Sequence, residues 1–329
     1  MNTATKISTV VLLLASALTA ACQPQKIEPP PDEITVQLLW THQSQFAGFY
    51  AADQKGFYAD EGLAITFIEG GPGVDRWTSM LDGKDQFGVA GGGELIIGRS
   101  EGKPVRAIAT IYRRSPVVFI SLEDAGITRP EDIAGKQIRA SENTVPSLNA
   151  IMAQVGVSPD QYTIVADLPS DLGLFVTGEV PVWGVYLTSF LITAQEAGYT
   201  LNIIYPDDYG VHFYADTIFT TDDIIANDPE LVQRFLNATL KGWKYVVENP
   251  GEIPAMVKKV QPSIDASLES KRINSSLPLI NTGEDYIGWM NTEIWAGMEH
   301  TLREQGLITT PLDITQVYTQ QFLKEIYDQ

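Results

Sequence analysis

Between Ile34 and Tyr205 the chain alternates strand-like and helix-like segments, and after residue 222 the strand-like segments stop. This change of pattern constrains the fold most. An α/β chain that ends in a run of helices must pack those helices back onto a layer it has already built. Ile34, Val36, Leu38 and Trp40 alternate with Thr35, Gln37 and Leu39, the period of a strand. A helix is expected over about 45–55, ended by Gly56, then a strand over Ala64–Ile68. A helix near 74–82, a short strand Gln86–Ala90, a helix over 94–101 and one long strand pattern from Val105 to Leu122 complete a first α/β set.

The same grammar repeats over 123–206, with strands at Gln137–Ser141, Thr163–Asp167, Val182–Tyr186 and Leu201–Tyr205 and helices between them. From Asp228 onward the segments read as helical, with further helices expected over 252–260, 265–274, 284–305 and 314–328. Asp228 is placed to cap and Pro229 to open a helix whose Val232, Phe235, Leu236, Leu240, Trp243 and Val247 form one stripe. At 329 residues the chain is long enough for two domains of ordinary size. The expected fold is therefore α/β with two lobes, 34–116 with 217–329 as lobe I and 117–216 as lobe II. The crossings are expected near Ser115-Pro116 and over Tyr214–Thr221. Two crossings make a hinge, and the cleft of a hinged pair of lobes is where small-molecule sites form.

Composition narrows the function. With 22 Lys+Arg against 41 Asp+Glu the formal charge is −19, which repels a phosphate backbone, so no nucleic-acid partner is expected. A single Cys rules out disulfide frameworks and thiolate metal sites, and three His leave little for metal chemistry, so no metal or other cofactor is expected. No HExxH, GxxxxGK[ST] or GxSxG pattern occurs. The N-terminus has the layout of a signal peptide over 1–21: Lys6, then an apolar run Val10–Ala15, then small residues before Cys22. Leu18-Thr-Ala-Ala-Cys22 resembles a bacterial lipobox, with Thr19 where Leu is commoner. This makes Cys22 the expected lipidation site, with 22–33, rich in proline, as a tether.

Four groups of aromatic and neutral polar residues fall at strand ends or in the expected hinge. They are Trp40, His42, Gln45 and Tyr50; Tyr112 with Arg113, Arg114 and Ser115; Trp183 and Tyr186; and Tyr209, His212 and Asp216. Each group alone fits core packing. Together they fit a flat, partly polar ligand held by stacking, with hydrogen bonds at its edges from Gln45, Ser115, Asn143, His42 and His212. Arg113 and Arg114 keep an anionic ligand open. A hydrolase built on Ser115, His212 and Asp216 is a weaker alternative, with no motif linking the three. The Gly70–Gly73 and Gly91–Gly93 turns are either ligand-facing or simple tight turns.

Leu38-Leu-Trp-Thr-His-Gln-Ser-Gln-Phe-Ala-Gly-Phe-Tyr50, Gly56-Phe-Tyr-Ala-Asp-Glu-Gly-Leu63, Asp85–Gly88, Gly102–Ala109, Pro130–Lys136 and Gly178–Trp183 occur in the order found in solute-binding proteins of the nitrate, sulfonate and thiamine-pyrimidine type. Over about 35–260 the chain resembles that family. The resemblance implies a type II periplasmic-binding-protein fold whose lobes close on one small molecule and deliver it to an ABC permease and its ATPase. With Pro206-Asp-Asp-Tyr-Gly-Val-His-Phe-Tyr-Ala-Asp216, the first block is most similar to riboflavin-binding lipoproteins. Leu39-Trp40-Thr41-His42 departs from the Asp-Trp-x-Pro-Asn block of thiamine-pyrimidine binders. A synthase of the same fold carries a Cys-rich segment that a chain with one Cys lacks. The expectation is a non-enzymatic, lipid-anchored monomer on the extracytoplasmic face of the membrane, with riboflavin as ligand. The alternatives are a thiamine pyrimidine, a sulfonate- or nitrate-type anion, or a ligand-presenting sensor module.

Overall fold

A computed structural model of the chain describes residues 30–71, 73–166 and 168–328, and Asp32–Gln329 forms one compact unit. The signal segment 1–21, Cys22 and most of the 22–33 tether lie outside the described residues. The compact unit is α/β with two mixed five-stranded sheets. Strands β1 (Asp32–Gln37), β2 (Leu63–Ile68), β3 (Phe87–Ala90) and β4 (Val105–Thr110) build the first. Then β5 (Val117–Leu122), β6 (Gln137–Arg139), β7 (Thr163–Val165), β8 (Val182–Tyr186) and β9 (Leu201–Ile204) build the second, and β10 (Thr217–Thr221) returns to the first.

The first sheet runs β2-β1-β3-β10-β4 and the second β7-β6-β8-β5-β9. In each, one strand next to a crossing lies antiparallel between two neighbours. β10 is wedged between β3 and β4, and β5 between β8 and β9. We call the half around the first sheet lobe I and the half around the second lobe II. The long strand expected from Val105 to Leu122 is instead two strands in different sheets. The break falls at Ile111–Pro116, where Pro116 has no N–H for a ladder and the backbone of Ile111 and Tyr112 bonds the Asp216 carbonyl. The return crossing lies just before β10 rather than through it, because Thr217–Thr221 is already paired to both neighbours.

The helical tail packs back onto lobe I. Helix Pro229–Glu248 is capped by the Asp228 side chain, which accepts from Leu231 N at 3.1 Å. Val232, Phe235, Leu236, Leu240 and Trp243 are buried along its stripe, with Val246 rather than Val247 completing it. Further on, the Val317 carbonyl accepts from Ala107 N and the Gly288 carbonyl from Thr110 N, so the tail closes over β4. The segment expected to be one helix over 284–305 is a turn followed by helix Thr292–Glu304. Helix Ala266–Ile280 runs further than the expected 274 because Pro278, in its last turn, does not end it.

Helix Ala47–Gln54 lies directly against Pro229–Glu248 through two glycines. A Cβ on Gly242 would come within 2.1 Å of the Gly48 carbonyl oxygen, and one on Gly48 within 2.2 Å of the Trp243 ring. The helices can approach this closely only with no side chain at either position. Gly242→Ala is therefore expected to lower the unfolding free energy by about 1–3 kcal/mol, the range for overpacking a filled core, read as a reduced urea midpoint at unchanged slope.

Candidate functional site

A cavity of about 410 Å³ lies at the strand ends between the two sheets. Lobe I supplies its wall from the turn after β1. The strand stops at Gln37, and the Gly70 N–H donates to the Trp40 carbonyl at 3.1 Å, turning the chain across the sheet edge. A Cβ at Gly70 would sit 2.2 Å from the Leu38 carbonyl oxygen, so this glycine serves the turn, and its N–H is spent inside the protein. The turn places Trp40, Thr41, His42, Gln43 and Gln45 on the cavity, and Arg272 on helix Ala266–Ile280 joins them.

Lobe II supplies Arg139 at the end of β6, Asn143 and Thr144 after it, Tyr186 at the end of β8, and Phe190 and Thr193 on helix Phe190–Glu196. The cavity therefore has three aromatic side chains, Trp40, Tyr186 and Phe190, two guanidinium groups, and a set of amides and hydroxyls.

His42 Nδ1 lies 2.8 Å from the Tyr50 hydroxyl. Burial lowers the His42 pKa from its ordinary value, with the Glu69 charge acting the other way, so the ring is neutral. Burial raises the Tyr50 pKa, and the Glu69 charge acts in the same direction.

Arg139 is buried, and burial lowers its pKa. It donates to the carbonyls of Leu168 at 2.9 Å and Gly184 at 3.2 Å and to Ser170 Oγ at 2.7 Å. Its guanidinium lies 5.1 Å from the centre of the Trp183 ring.

Two polar chains join the lobes around the cavity. In one, Glu269 accepts from Ser44 N at 2.7 Å and Ser44 Oγ at 2.5 Å and pairs with Arg272 at 2.6 Å, while Arg272 reaches Thr193 of lobe II at 3.3 Å. In the other, Gln43 donates to Gln45 Oε1 at 2.8 Å, Gln45 donates to Asp216 Oδ2 at 2.7 Å, and the Tyr186 hydroxyl donates to Asp216 Oδ1 at 3.3 Å. Asp216 is buried and its pKa is pushed up to about 7, chiefly by desolvation.

The expected site residues divide into three sets. Trp40, His42, Gln45, Asn143 and Tyr186 line the cavity. Tyr50, Asp216 and Trp183 stand directly behind it. Tyr50 bonds His42, Asp216 bonds Gln45 and Tyr186, and Trp183 stacks on Phe190 at 5.2 Å and carries Arg139. Trp183 has its indole N–H on the Val180 carbonyl and is fully buried in the lobe II core, where a β8 side chain on that face has to be.

The remaining four lie elsewhere. The Tyr112 hydroxyl donates to Ser276 Oγ in the core, and Ser115 Oγ accepts from Val117 N at the crossing. Tyr209 is half-buried on the short turn Pro206–Tyr209, and His212 is exposed and paired with Asp207 at 3.1 Å. Ser115, His212 and Asp216 thus have separate partners and form no relay. Arg113 is engaged with Thr282 and Asp285, and Arg114 with Glu284, so the arginines at the cavity are Arg139 and Arg272 instead. The sequence reading missed these two together with Phe190. Arg139 could have been found only with the right strand end, since the expected strand Gln137–Ser141 puts it mid-strand whereas β6 ends at it. Arg272 could not, because only packing of the tail brings it there.

Among the described residues no cluster of His, Cys, Asp and Glu could hold a metal ion, and no helix is long and apolar enough to cross a membrane. Two α/β lobes with an antiparallel strand inserted at each crossing and a cavity between them form the periplasmic-binding-protein fold. The solved alkanesulfonate-binding protein SsuA from Xanthomonas axonopodis pv. citri, bound to MOPS, has this fold: TM-score 0.72 at 12% identity, covering 89% of this chain and 100% of that one.

Residues 43–253 match the model of the NMT1/THI5 like family, and the chain belongs to that family. Two relatives are similar over nearly their whole length. The riboflavin-binding protein RibY of Chloroflexus aurantiacus is 26% identical over 320 residues, covering 94% of this chain and 91% of the relative. A 4-amino-5-hydroxymethyl-2-methylpyrimidine phosphate synthase of Legionella pneumophila is 26% identical over 306 residues, covering 89% and 92%.

Glu269 sits where removal would strand a charge. Glu269→Ala leaves the Arg272 guanidinium and the Ser44 N–H without their acceptor, and is expected to cost about 3 kcal/mol of stability, read by urea titration.

Proposed function

We propose that the protein is the substrate-binding lipoprotein of an ABC importer, and that it captures a flat heteroaromatic vitamin, riboflavin, between its lobes and delivers it to the permease and its ATPase. The observation that carries this reading is the makeup of the cavity. It is of ligand size, walled by Trp40 on one lobe and Tyr186 and Phe190 on the other, with neutral donors and acceptors between them. The likeness to a riboflavin-binding relative along nearly the whole chain supports the same ligand.

In this reading the isoalloxazine ring lies against Trp40, at about 0.5–1.5 kcal/mol per aromatic pair beyond area burial. His42, Gln45 and Asn143 meet ring nitrogens and carbonyls, and the hydroxyls of lobe II meet the ribityl chain. Tyr50, Trp183 and Asp216 hold those residues in place from behind. Tyr112, Ser115, Tyr209 and His212 serve the crossings and the surface. The reading takes binding as the whole activity, with no chemical step. Cys22 carries the lipid, palmitate among its acyl chains, that holds a monomer on the extracytoplasmic face of the membrane.

A second reading is an anionic ligand, a sulfonate or a phosphorylated thiamine pyrimidine. Arg139 and Arg272 on the cavity favour it, since a guanidinium grips such groups through paired N–H donors. Titration of the purified protein with riboflavin, following flavin and Trp fluorescence, separates the readings. The first expects one-to-one quenching with a dissociation constant below 1 μM, about −8 kcal/mol or better. No quenching, with a thermal shift on adding an aliphatic sulfonate or a pyrimidine phosphate, would replace it by the second. Trp40→Ala is expected to weaken riboflavin binding about tenfold or more while moving the melting temperature by only a few degrees, because the ring is half-buried at the cavity and outside the core.

A further inference from the structure

Asp216 has the only carboxylate among the described residues that hydrogen-bonds a cavity residue from each lobe, Gln45 of lobe I and Tyr186 of lobe II. Its own backbone is the return crossing, because the Asp216 carbonyl accepts from Ile111 N and Tyr112 N on the outgoing crossing. One residue therefore touches both crossings and both walls of the cleft. We propose that Asp216 is a positioning residue that couples closure of the lobes to uptake of one proton, so that the ligand is held in the neutral-Asp216 form and released as this carboxyl ionises. The proposal rests on the reading of an interlobe ligand site.

The groups packed around Asp216 make its ionisation costly. Glu94, on helix Gly92–Ser100, opposes a negative charge there and is itself raised by burial, although Arg76 lies 2.5 Å from it and Glu142 is 3.9 Å from Arg76. From β8 comes Tyr186 and from the outgoing crossing Tyr112, both buried phenols raised above their ordinary range. Gln45 and Tyr186 favour the charged form through their hydrogen bonds, and burial outweighs them.

The sign follows from linkage. The folded-state pKa of Asp216 is near 7, above its ordinary value of 3.8. The stability that Asp216 contributes is therefore complete below about pH 4 and is lost as pH rises through 7. Above 7 the buried anion is relieved by water, and water reaches it if the lobes part. A ligand filling the cavity excludes that water and raises the pKa of Asp216 further, so binding takes up a proton. The dissociation constant then rises with pH, by at most about tenfold per unit for a single proton.

The test measures riboflavin affinity from pH 6 to 8 and, at pH 7.5, the binding heat in two buffers of different ionisation enthalpy. Expected is a dissociation constant that rises about threefold or more across the range with proton uptake at pH 7.5, and a flat profile without uptake in Asp216→Asn. Tyr186→Phe, which removes a hydrogen bond to the charged form, is expected to move the rise to higher pH, and it serves as the variant if Asp216→Asn does not fold. A flat wild-type profile, or an unchanged slope in Asp216→Asn, overturns the proposal. If riboflavin binds at no pH, the riboflavin reading fails separately, and X-ray scattering from the ligand-free protein decides the coupling. A radius of gyration that grows from pH 6 to 8 in the wild type supports it, and a constant one overturns it.

Discussion

The structure depends on the chain leaving lobe I after β4 and returning as β10 into a slot between β3 and β4. β10 lies in the middle of this sheet and satisfies its backbone on both sides, and β4, at the edge, has β10 as its ladder partner, so its pairing waits for the chain to come back from lobe II. Lobe I is thus finished by residues more than a hundred positions further along. The two crossings are forced side by side, since the Asp216 carbonyl takes the N–H groups of Ile111 and Tyr112. The cleft and its buried acid both follow from this one topological requirement.

The cavity shows how two layers of residues share the work of a site. The groups that face it are mobile or polar by nature, a tryptophan on a turn, amides, an imidazole, two guanidinium groups. Each is held by a more deeply buried neighbour: His42 by Tyr50, Gln45 and Tyr186 by Asp216, Arg139 and Phe190 by Trp183, Arg272 by Glu269. Such backing fixes the rotamer of the facing group and so removes part of the ordering cost of binding. It also explains why aromatic residues read as ligand contacts from the sequence stand one layer behind the cavity wall. Trp183 and Tyr50 are too large and too apolar to leave on a wall when a core lies one layer away.

Much of the fold was legible because periodicity is a local property. The alternation in Ile34–Trp40 and the stripe from Val232 to Trp243 reflect which face of a strand or helix meets a core, and they survive in any tertiary setting. The break of Val105–Leu122 into two strands was less legible, because both halves are strand-like and only their assignment to different sheets separates them. At the site, the turn after β1 was found because strand ends are where α/β sheets expose backbone and side chains to a ligand. Tyr209 and His212 were grouped with the site as an aromatic and polar cluster at a loop end, and the structure leaves Tyr209 half-buried on the short turn Pro206–Tyr209 and His212 exposed beside Asp207, neither of them on the cavity.

From the sequence alone came the α/β class, the alternation of strands and helices with a returning helical tail, and the stretch around Trp40 and His42. These depend on patterns within a few turns of chain, which neighbours in sequence determine by themselves. Only the tertiary structure decided which side chains face the cavity and which stand behind it, that Arg272 on the tail meets Thr193 of the other lobe, and that Asp216 is buried between Gln45 and Tyr186. Those are contacts across separations of 30 to 171 residues, and they exist only once both sheets have formed and the crossings have drawn the lobes together.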